Sequence, residues 1–191
     1  GNPQSKSRYY VAIRGTQPGD NFCACPDYAT HELGTCKHIE FTLAQLKKKR
    51  GAKAAFARGY HPPFSELYLR NDHGRTIHFR AGKDCPPAVS KAAALLFDES
   101  RGWVLRENSF GELERFVAAV AKSGHELRAY DDALDFVAGQ RDAERRAAAL
   151  DGIFPRGAND PLLKKMLKAP LYAYQADGAL FAVRAGRVLF G

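Results

Sequence analysis

The sequence predicts an α+β protein of three segments, which cover residues 1–61, 62–150 and 151–191. Three observations indicate this organisation. Cysteines cluster near the start of the chain, where three of the four lie close together. A hairpin pattern, followed by alternating helix and strand patterns, occupies the middle of the chain. The last segment shows two helical patterns, each bounded by proline or glycine.

The first segment predicts a small ββα unit. Residues 9–14 are apolar and aromatic and predict a strand, and residues 22–26 predict a short second strand. A helix is predicted from Lys37, because apolar residues then recur at i, i+4 and i+7, namely Ile39, Leu43 and Leu46. Positive charge over residues 47–50, followed by Gly51, is typical of a helix C-terminus.

The middle segment predicts a mixed α/β module. Residues 67–70 and 76–79 alternate in polarity on either side of a turn at residues 71–74, which is a hairpin signal. Ser109 and Glu112 have the spacing of a capping box ahead of an amphipathic helix. Further strands are predicted at residues 103–105 and 126–130.

The third segment predicts two helices and a strand. Asp160 has the character of an N-cap, and Pro161 suits the first helical position. A second helix is predicted over residues 172–185, with Gly186 as its C-terminal cap. Residues 187–190 predict a buried strand at the end of the chain.

Composition and charge narrow the classes of function. Apolar residues make up 45% of the 191 residues and charged residues 26%, which is ordinary for a globular protein. No run of about 18 apolar residues occurs, so we expect no membrane span. The net charge is +8, and residues 1–61 hold 10 Lys+Arg against 4 Asp+Glu. This excess indicates a polyanionic partner, most simply nucleic acid, although solubility alone also explains a charge of this size.

The strongest chemical signal is a set of three cysteines and one histidine. Cys23 and Cys25 form a Cys-x-Cys pair, and Cys36 and His38 form a Cys-x-His pair ten residues later. Three thiolates and an imidazole make a closed tetrahedral ligand set for Zn²⁺. Because no coordination position remains open, the predicted site is structural, and zinc binding supplies on the order of 10 kcal/mol of folding free energy.

Other interpretations of these residues remain open at this stage. His31 competes with His38 as the fourth ligand, since it lies in the loop between the two pairs. Disulfides fit poorly, because Cys23 and Cys25 are too close in sequence to bridge comfortably. Cys85 stands alone beside a proline and is interpreted as a structural thiol. A stand-alone enzyme that uses Cys85 or His61 is the weakest alternative, because no catalytic constellation accompanies either residue.

The cysteine and histidine pattern resembles the SWIM zinc finger. That family shows Cys-x-Cys, a variable gap and Cys-x-His on a short hairpin followed by a helix, and residues 8–50 match this arrangement. The resemblance implies DNA binding or protein contact and no catalysis.

Cations follow the predicted finger and are its candidate nucleic-acid contacts. They are Lys47, Lys48, Lys49, Arg50 and Lys53. Such residues neutralise backbone phosphates, and no base-reading arrangement is evident in the sequence, so we expect DNA binding with low sequence specificity. The alternative is that they only complement the negative end of a helix dipole and keep the surface solvated.

The C-terminal segment resembles the start of the motor of SWI/SNF-like DNA-dependent ATPases, which belong to helicase superfamily two. The matching residues are Leu171, Tyr174, Gln175, Gly178, Phe181, Gly186, Arg187 and Leu189. The resemblance implies that Gln175 reads an adenine edge and that Tyr174 lies near the adenine ring. It also implies that residues 187–190 are the first motor strand.

Residues 97–105 bear a weaker likeness to the HepA-related protein domain of annealing helicases. The chain has neither a Walker A loop nor an acidic metal-binding box, so we expect no ATP hydrolysis by the chain itself. The resemblances together imply an N-terminal accessory region of a bacterial, nucleoid-associated cytoplasmic ATPase, which binds ATP only in its full-length form. The alternative is a zinc-finger adaptor that binds another protein and no nucleic acid.

Overall fold

A computed structural model describes residues 7–17, 19–30, 33–71, 74–166 and 171–188. Contacts divide the chain into two units, of which the first ends at Leu134 and the second begins at Asp135. The sequence predicts boundaries at 61 and 150. The predicted finger and the predicted sheet thus lie in one unit, and the α+β class is confirmed. Within the described residues, no helix is both long enough and apolar enough to cross a bilayer.

The N-terminal finger is a short hairpin followed by helices. Strand β1 (Val11–Ala12) pairs antiparallel with β2 (Phe22–Cys23), and α1 (Pro26–Thr30) and α2 (Lys37–Lys47) follow. A further helix, α3 (Ala52–Arg58), comes after Gly51. The ββα pattern is confirmed, but α1 and α3 were not predicted. Both are too short to show a repeating apolar stripe, and only Pro26 at the first helical position of α1 gives a local signal.

The sheet of the first unit has five strands in the order β5-β6-β4-β3-β7. The predicted hairpin is confirmed as β3 (Ser65–Asn71) and β4 (Arg75–Arg80), which pair antiparallel. The other strands are short, and β7 pairs parallel with β3. Their bounds are β5 (Phe97–Asp98), β6 (Val104–Leu105) and β7 (Leu127–Ala129).

One face of this sheet packs against the helices α4 (Pro87–Leu96) and α5 (Leu113–Lys122). Phe79 lies on that face opposite Leu67, and its ring centroid is 5.6 Å from those of Phe97 and Phe116. The predicted capping box of α5 is wrong. The Ser109 side chain makes no cap hydrogen bond, and a 3₁₀ turn at Phe110–Glu112 leads into the helix instead.

The opposite face of the sheet meets the finger. Side chains alternate along a strand, so Glu66 and Tyr68 point away from the face that carries Leu67. Arg14 of the finger lies 5.4 Å from the Tyr68 ring centroid, and its Nε is 3.8 Å from a Glu66 carboxylate oxygen. Strand β3 is therefore buried on both faces, which explains why nearly all its residues are buried.

The second unit is helical. Helix α6 (Asp131–Ile153) runs from the end of the first unit into the second, and α7 (Pro161–Met166) and α8 (Ala173–Ala185) follow. The N-cap prediction is confirmed, because Leu162 N donates to Asp160 Oδ1 at 2.9 Å. Gly186, with φ of 79°, ends α8 as predicted. Residues 187 and 188 form no strand, contrary to prediction, and 189–191 lie outside the described residues.

Candidate metal centre

Four elements of the finger place the four predicted ligands. Cys23 ends β2, opposite Val11 of β1, and Cys25 immediately precedes α1. Cys36 occupies the N-cap position of α2 with extended backbone, and His38 follows in the first turn of that helix. Each ligand pair thus sits where the chain changes from one element to the next. The hairpin and the start of α2 bring the two pairs together.

The distances between the ligand atoms fit one tetrahedral ion. All four ligand atoms lie within 4.8 Å of one another. The Sγ atoms of Cys25 and Cys36 are 3.7 Å apart, and His38 Nδ1 lies 3.8 Å from Cys23 Sγ and 3.9 Å from Cys36 Sγ. Zn–S bonds of about 2.3 Å and Zn–N bonds of about 2.0 Å place tetrahedral ligand atoms about 3.5–3.8 Å apart. The cluster therefore has the composition and the spacing of a Cys₃His zinc site.

The burial of the three cysteine thiols favours a bound metal cation at this site. Cys23 and Cys25 are 1% exposed and Cys36 is 5% exposed. Burial raises the pKa of the Cys23 thiol to about 12, so without a metal that sulfur stays protonated at neutral pH. A divalent ion reverses this, because its charge stabilises thiolates and releases their protons.

Backbone groups add to this preference for thiolate ligands. The N–H of Tyr28 donates to Cys25 Sγ at 3.3 Å. Cys36 stands at the N-terminus of the eleven-residue helix α2, where the helix dipole favours negative charge. The protein therefore supplies positive electrostatic potential to two of the three sulfurs, in addition to that of the ion.

The ligands also form much of the finger core. The buried residues of that core are Cys23, Cys25, Tyr28, Cys36, Ile39 and Leu43, so half of them are ligand thiols. A core with so few apolar side chains contributes little on its own. A metal ion held by these four side chains would have no open coordination position, which is the arrangement of structural zinc sites.

The competing interpretations have different outcomes. His31 lies outside the described residues, and the group that comes together in the structure contains His38. Cys85 is half-buried, with its Sγ 3.4 Å from Ser90 Oγ and 3.8 Å from the Pro86 carbonyl oxygen. These are the contacts of a packed thiol in the turn before α4.

The predicted nucleic-acid contacts are brought together at one end of α2. We call residues 47–53, which run from the last residue of α2 into the first turn of α3, the basic turn. Its five cations are all exposed, and none forms an ion pair with a carboxylate among the described residues. They are Lys47, Lys48, Lys49, Arg50 and Lys53.

The predicted adenine contacts lie in the second unit. Gln175 is in the first turn of α8, and its Oε1 accepts the backbone N–H of Tyr172 at 3.1 Å. The side chain therefore caps its own helix with one of the two groups that an adenine edge would use. Tyr174 is 71% exposed, and its ring stacks on that of Tyr172 at 5.9 Å.

Sequence reasoning missed a buried charged cluster where the finger meets the sheet. The carboxylate of Glu66, which is 0% exposed, accepts hydrogen bonds from the hydroxyls of Tyr60, at 3.2 Å, and Tyr130. It pairs with Arg14 at 3.8 Å and with Arg80 at 3.4 Å. Burial and the nearby Glu66 charge raise the pKa of Tyr130, so its hydroxyl donates at neutral pH. No local signal reveals this cluster, because Glu66 alternates with apolar residues as an exposed strand residue would.

Two further contacts fit the finger to the β3–β4 hairpin. Arg75 Nη2 donates to the Ala29 carbonyl oxygen at 2.5 Å. A Cβ added to Gly34, whose φ is +68°, would lie 2.2 Å from the Asn71 carbonyl oxygen. Only glycine allows this close approach, so the loop between the ligand pairs is shaped by the sheet as well as by the metal site.

Comparison of the chain with protein-family models, with curated proteins and with solved structures finds no match in any of the three.

Proposed function

We propose that the chain is a zinc-stabilised DNA-binding region that acts as the N-terminal accessory part of a SWI/SNF-like DNA-dependent ATPase. The observation that carries the proposal is the Cys₃His cluster, whose ligand atoms lie within 4.8 Å of one another and two of whose members, Cys36 and His38, stand at the start of the helix that ends in the basic turn. Zinc holds the start of α2, and the cations stand about 15 Å away at its other end. The metal thereby fixes the direction in which the basic turn faces.

Charge supports DNA as the partner. Residues 47–58 contain six cations and no carboxylate. Exposed Lys and Arg side chains without acidic neighbours attract phosphates and release the counterions that surround DNA. The proposed binding is therefore to the phosphate backbone, which fixes position and carries no sequence information.

The link to an ATPase rests on the resemblance of residues 171–189 to the start of a SWI/SNF-like motor. Gln175 and Tyr174 are the proposed adenine contacts of the full-length protein, which would require Gln175 to exchange its capping bond for the nucleotide. The chain itself has no Walker A loop, so its proposed role is to place DNA against the motor.

Binding of a random-sequence duplex, measured by fluorescence anisotropy on zinc-loaded protein at several salt concentrations, tests the DNA proposal. Affinity should fall steeply with salt, with a slope of about −0.9 per phosphate contacted. Replacing both Lys48 and Lys49 by Gln should reduce the slope by about 2. The matched control replaces Lys164 and Lys165, an equally exposed pair on α7, and should change nothing.

An equal effect of the two variant pairs would show that the basic turn is not the contact surface. Absence of duplex binding at low salt would remove the proposed contact of the basic turn with duplex DNA. Metal analysis of the same preparation should find one zinc per chain, and less than about half an equivalent in folded protein would remove the zinc proposal.

A protein-interaction adaptor is the second candidate, and the surface of the second unit favours it. Five large apolar side chains there are more than half exposed, and a protein partner could cover them. They are Met166, Tyr172, Tyr174, Phe181 and Val183. The adaptor predicts no duplex binding at any salt concentration, so the same titration distinguishes the two.

A further inference from the structure

A groove of about 520 Å³ lies in the first unit beside the basic turn. It is lined by residues 13–15, which follow β1, by the basic turn, by α3 and by Tyr60. Its volume is in the range of small-molecule sites, which is about 300–1,000 Å³. The metal ligands are not among its lining residues, so the groove is a feature separate from the zinc centre.

The groove favours an anion. Lys49, Arg50 and Arg58 line it and are exposed, and Arg14 lines it with only 6% of its surface exposed. No carboxylate belongs to the lining. The positive charge of Arg14 is offset by the buried carboxylate of Glu66. The three exposed cations therefore provide the positive charge that a ligand would meet.

The groove also presents two fixed aromatic rings. Tyr60 is half-buried, and its hydroxyl donates to Glu66 at 3.2 Å, which holds the ring in place. Phe56 is half-buried as well and packs against the finger core. Ring faces held in this way are suited to stacking on a flat base, and cations nearby are suited to the phosphates that flank it.

We propose that this groove binds an unpaired nucleotide of a single-stranded nucleic acid, with its base against Phe56 or Tyr60 and its phosphates at Lys49, Arg50 and Arg58. The inference rests on the proposed function, namely that the finger binds nucleic-acid phosphates, and it adds that the strand is single. In a duplex the faces of each base are covered by their neighbours. A ring at the side of the helix therefore has no base face to stack on.

Comparison of two strands with the same backbone tests the stacking. Zinc-loaded protein is titrated, at one salt concentration, with a labelled twelve-nucleotide oligo(dT) and with an abasic strand of equal length. Base stacking is worth about 5- to 150-fold per base, so oligo(dT) should bind at least about fivefold more tightly. Equal affinities would overturn the proposal without any variant. A matched oligo(U) strand distinguishes RNA from DNA as the occupant.

Variants then locate the base. The Leu variant of whichever ring stacks on the base, Tyr60→Leu or Phe56→Leu, should weaken oligo(dT) binding at least about fivefold. Neither variant should change the binding of the abasic strand by more than about twofold. Tyr60→Phe is the matched control, because it loses the hydrogen bond to Glu66 and keeps the ring. It should bind oligo(dT) as the wild type does. Full affinity of both Leu variants would overturn the assignment of the groove.

The two proposals fail separately. Duplex binding with a steep salt dependence, but no preference for the base-bearing strand over the abasic one, refutes only the groove. Binding of oligo(dT) that exceeds abasic binding, without duplex binding, supports the groove and refutes the duplex contact.

Discussion

Glu66→Gln tests the contact on which the joining of finger and sheet depends. The substitution keeps the shape of a side chain that is 0% exposed and removes its charge. It leaves the buried guanidinium of Arg14, whose side chain is 2% exposed, and the partly buried one of Arg80 without their carboxylate. Both tyrosine hydroxyls donate to the same oxygen, Oε1, which the glutamine amide retains, whereas an NH₂ group replaces the oxygen that faces Arg80.

The expected loss of unfolding free energy is about 3 kcal/mol. Breaking a buried ion pair from one side costs about 3–5 kcal/mol, because the partner charge stays buried. Asp132 also interacts with Arg14, which places the loss near the lower end of that range. For a chain of this length, 3 kcal/mol corresponds to a melting temperature lower by about 6–12 °C.

Urea unfolding followed by tryptophan fluorescence measures this loss in the relevant unit. Trp103 is the only tryptophan of the chain, and its ring is 5.8 Å from that of Phe79 in the sheet core. The control is Glu126→Gln, which removes an exposed ion pair with Arg128 and should cost less than about 1 kcal/mol. A Glu66→Gln loss no larger than that of the control would refute the buried cluster.

Three further predictions follow from single sites. Gly34→Ala should lower the free energy of unfolding in urea by more than about 2 kcal/mol, because its Cβ overlaps a backbone oxygen of the hairpin. Gly51→Ala, which has a similar φ and open space around it, should lower it by about 1 kcal/mol, and equal losses would contradict the overlap. Burial lowers the pKa of His78 in the folded chain. As the pH falls below about 6.5, the unfolded chain therefore binds a proton that the folded chain does not bind, and the folded state loses stability. Wild type should therefore lose up to about 1 kcal/mol more stability than His78→Gln between pH 7.5 and 5.5, and identical pH profiles would contradict this. Cys36→Ser should abolish stoichiometric zinc in metal analysis while Cys85→Ser retains it, and retention by both would exclude the Cys₃His site.

Local patterns predicted the parts of the molecule that depend on neighbouring residues. The Cys-x-Cys and Cys-x-His pairs are close in sequence, and the ligand set follows from their chemistry. The β3–β4 hairpin and the Asp160 cap are equally local and were also predicted. Each of these features is settled within a few residues, where spacing and residue type carry the physical information.

The features that were missed depend on distant parts of the chain. Glu66 is buried because Arg14 lies on the second face of the sheet, and nothing near either residue indicates the other. The Ser109 capping box is the exception, because it failed for a local reason: a 3₁₀ turn takes the place of the first helical turn. Tertiary contacts therefore override local propensity at Glu66 and Arg14 but not at Ser109.

The fit of Gly34 against Asn71, together with Arg14 over Glu66, has a consequence for anyone who wishes to transplant the finger. A fragment that ends at residue 61 would lack the β3–β4 hairpin against which Gly34 packs, and the guanidinium of Arg14 would lose the carboxylate of Glu66. A metal ion could still bind the four ligands, but the finger would lack the sheet against which it packs. The portable fragment extends through the sheet, to about residue 134.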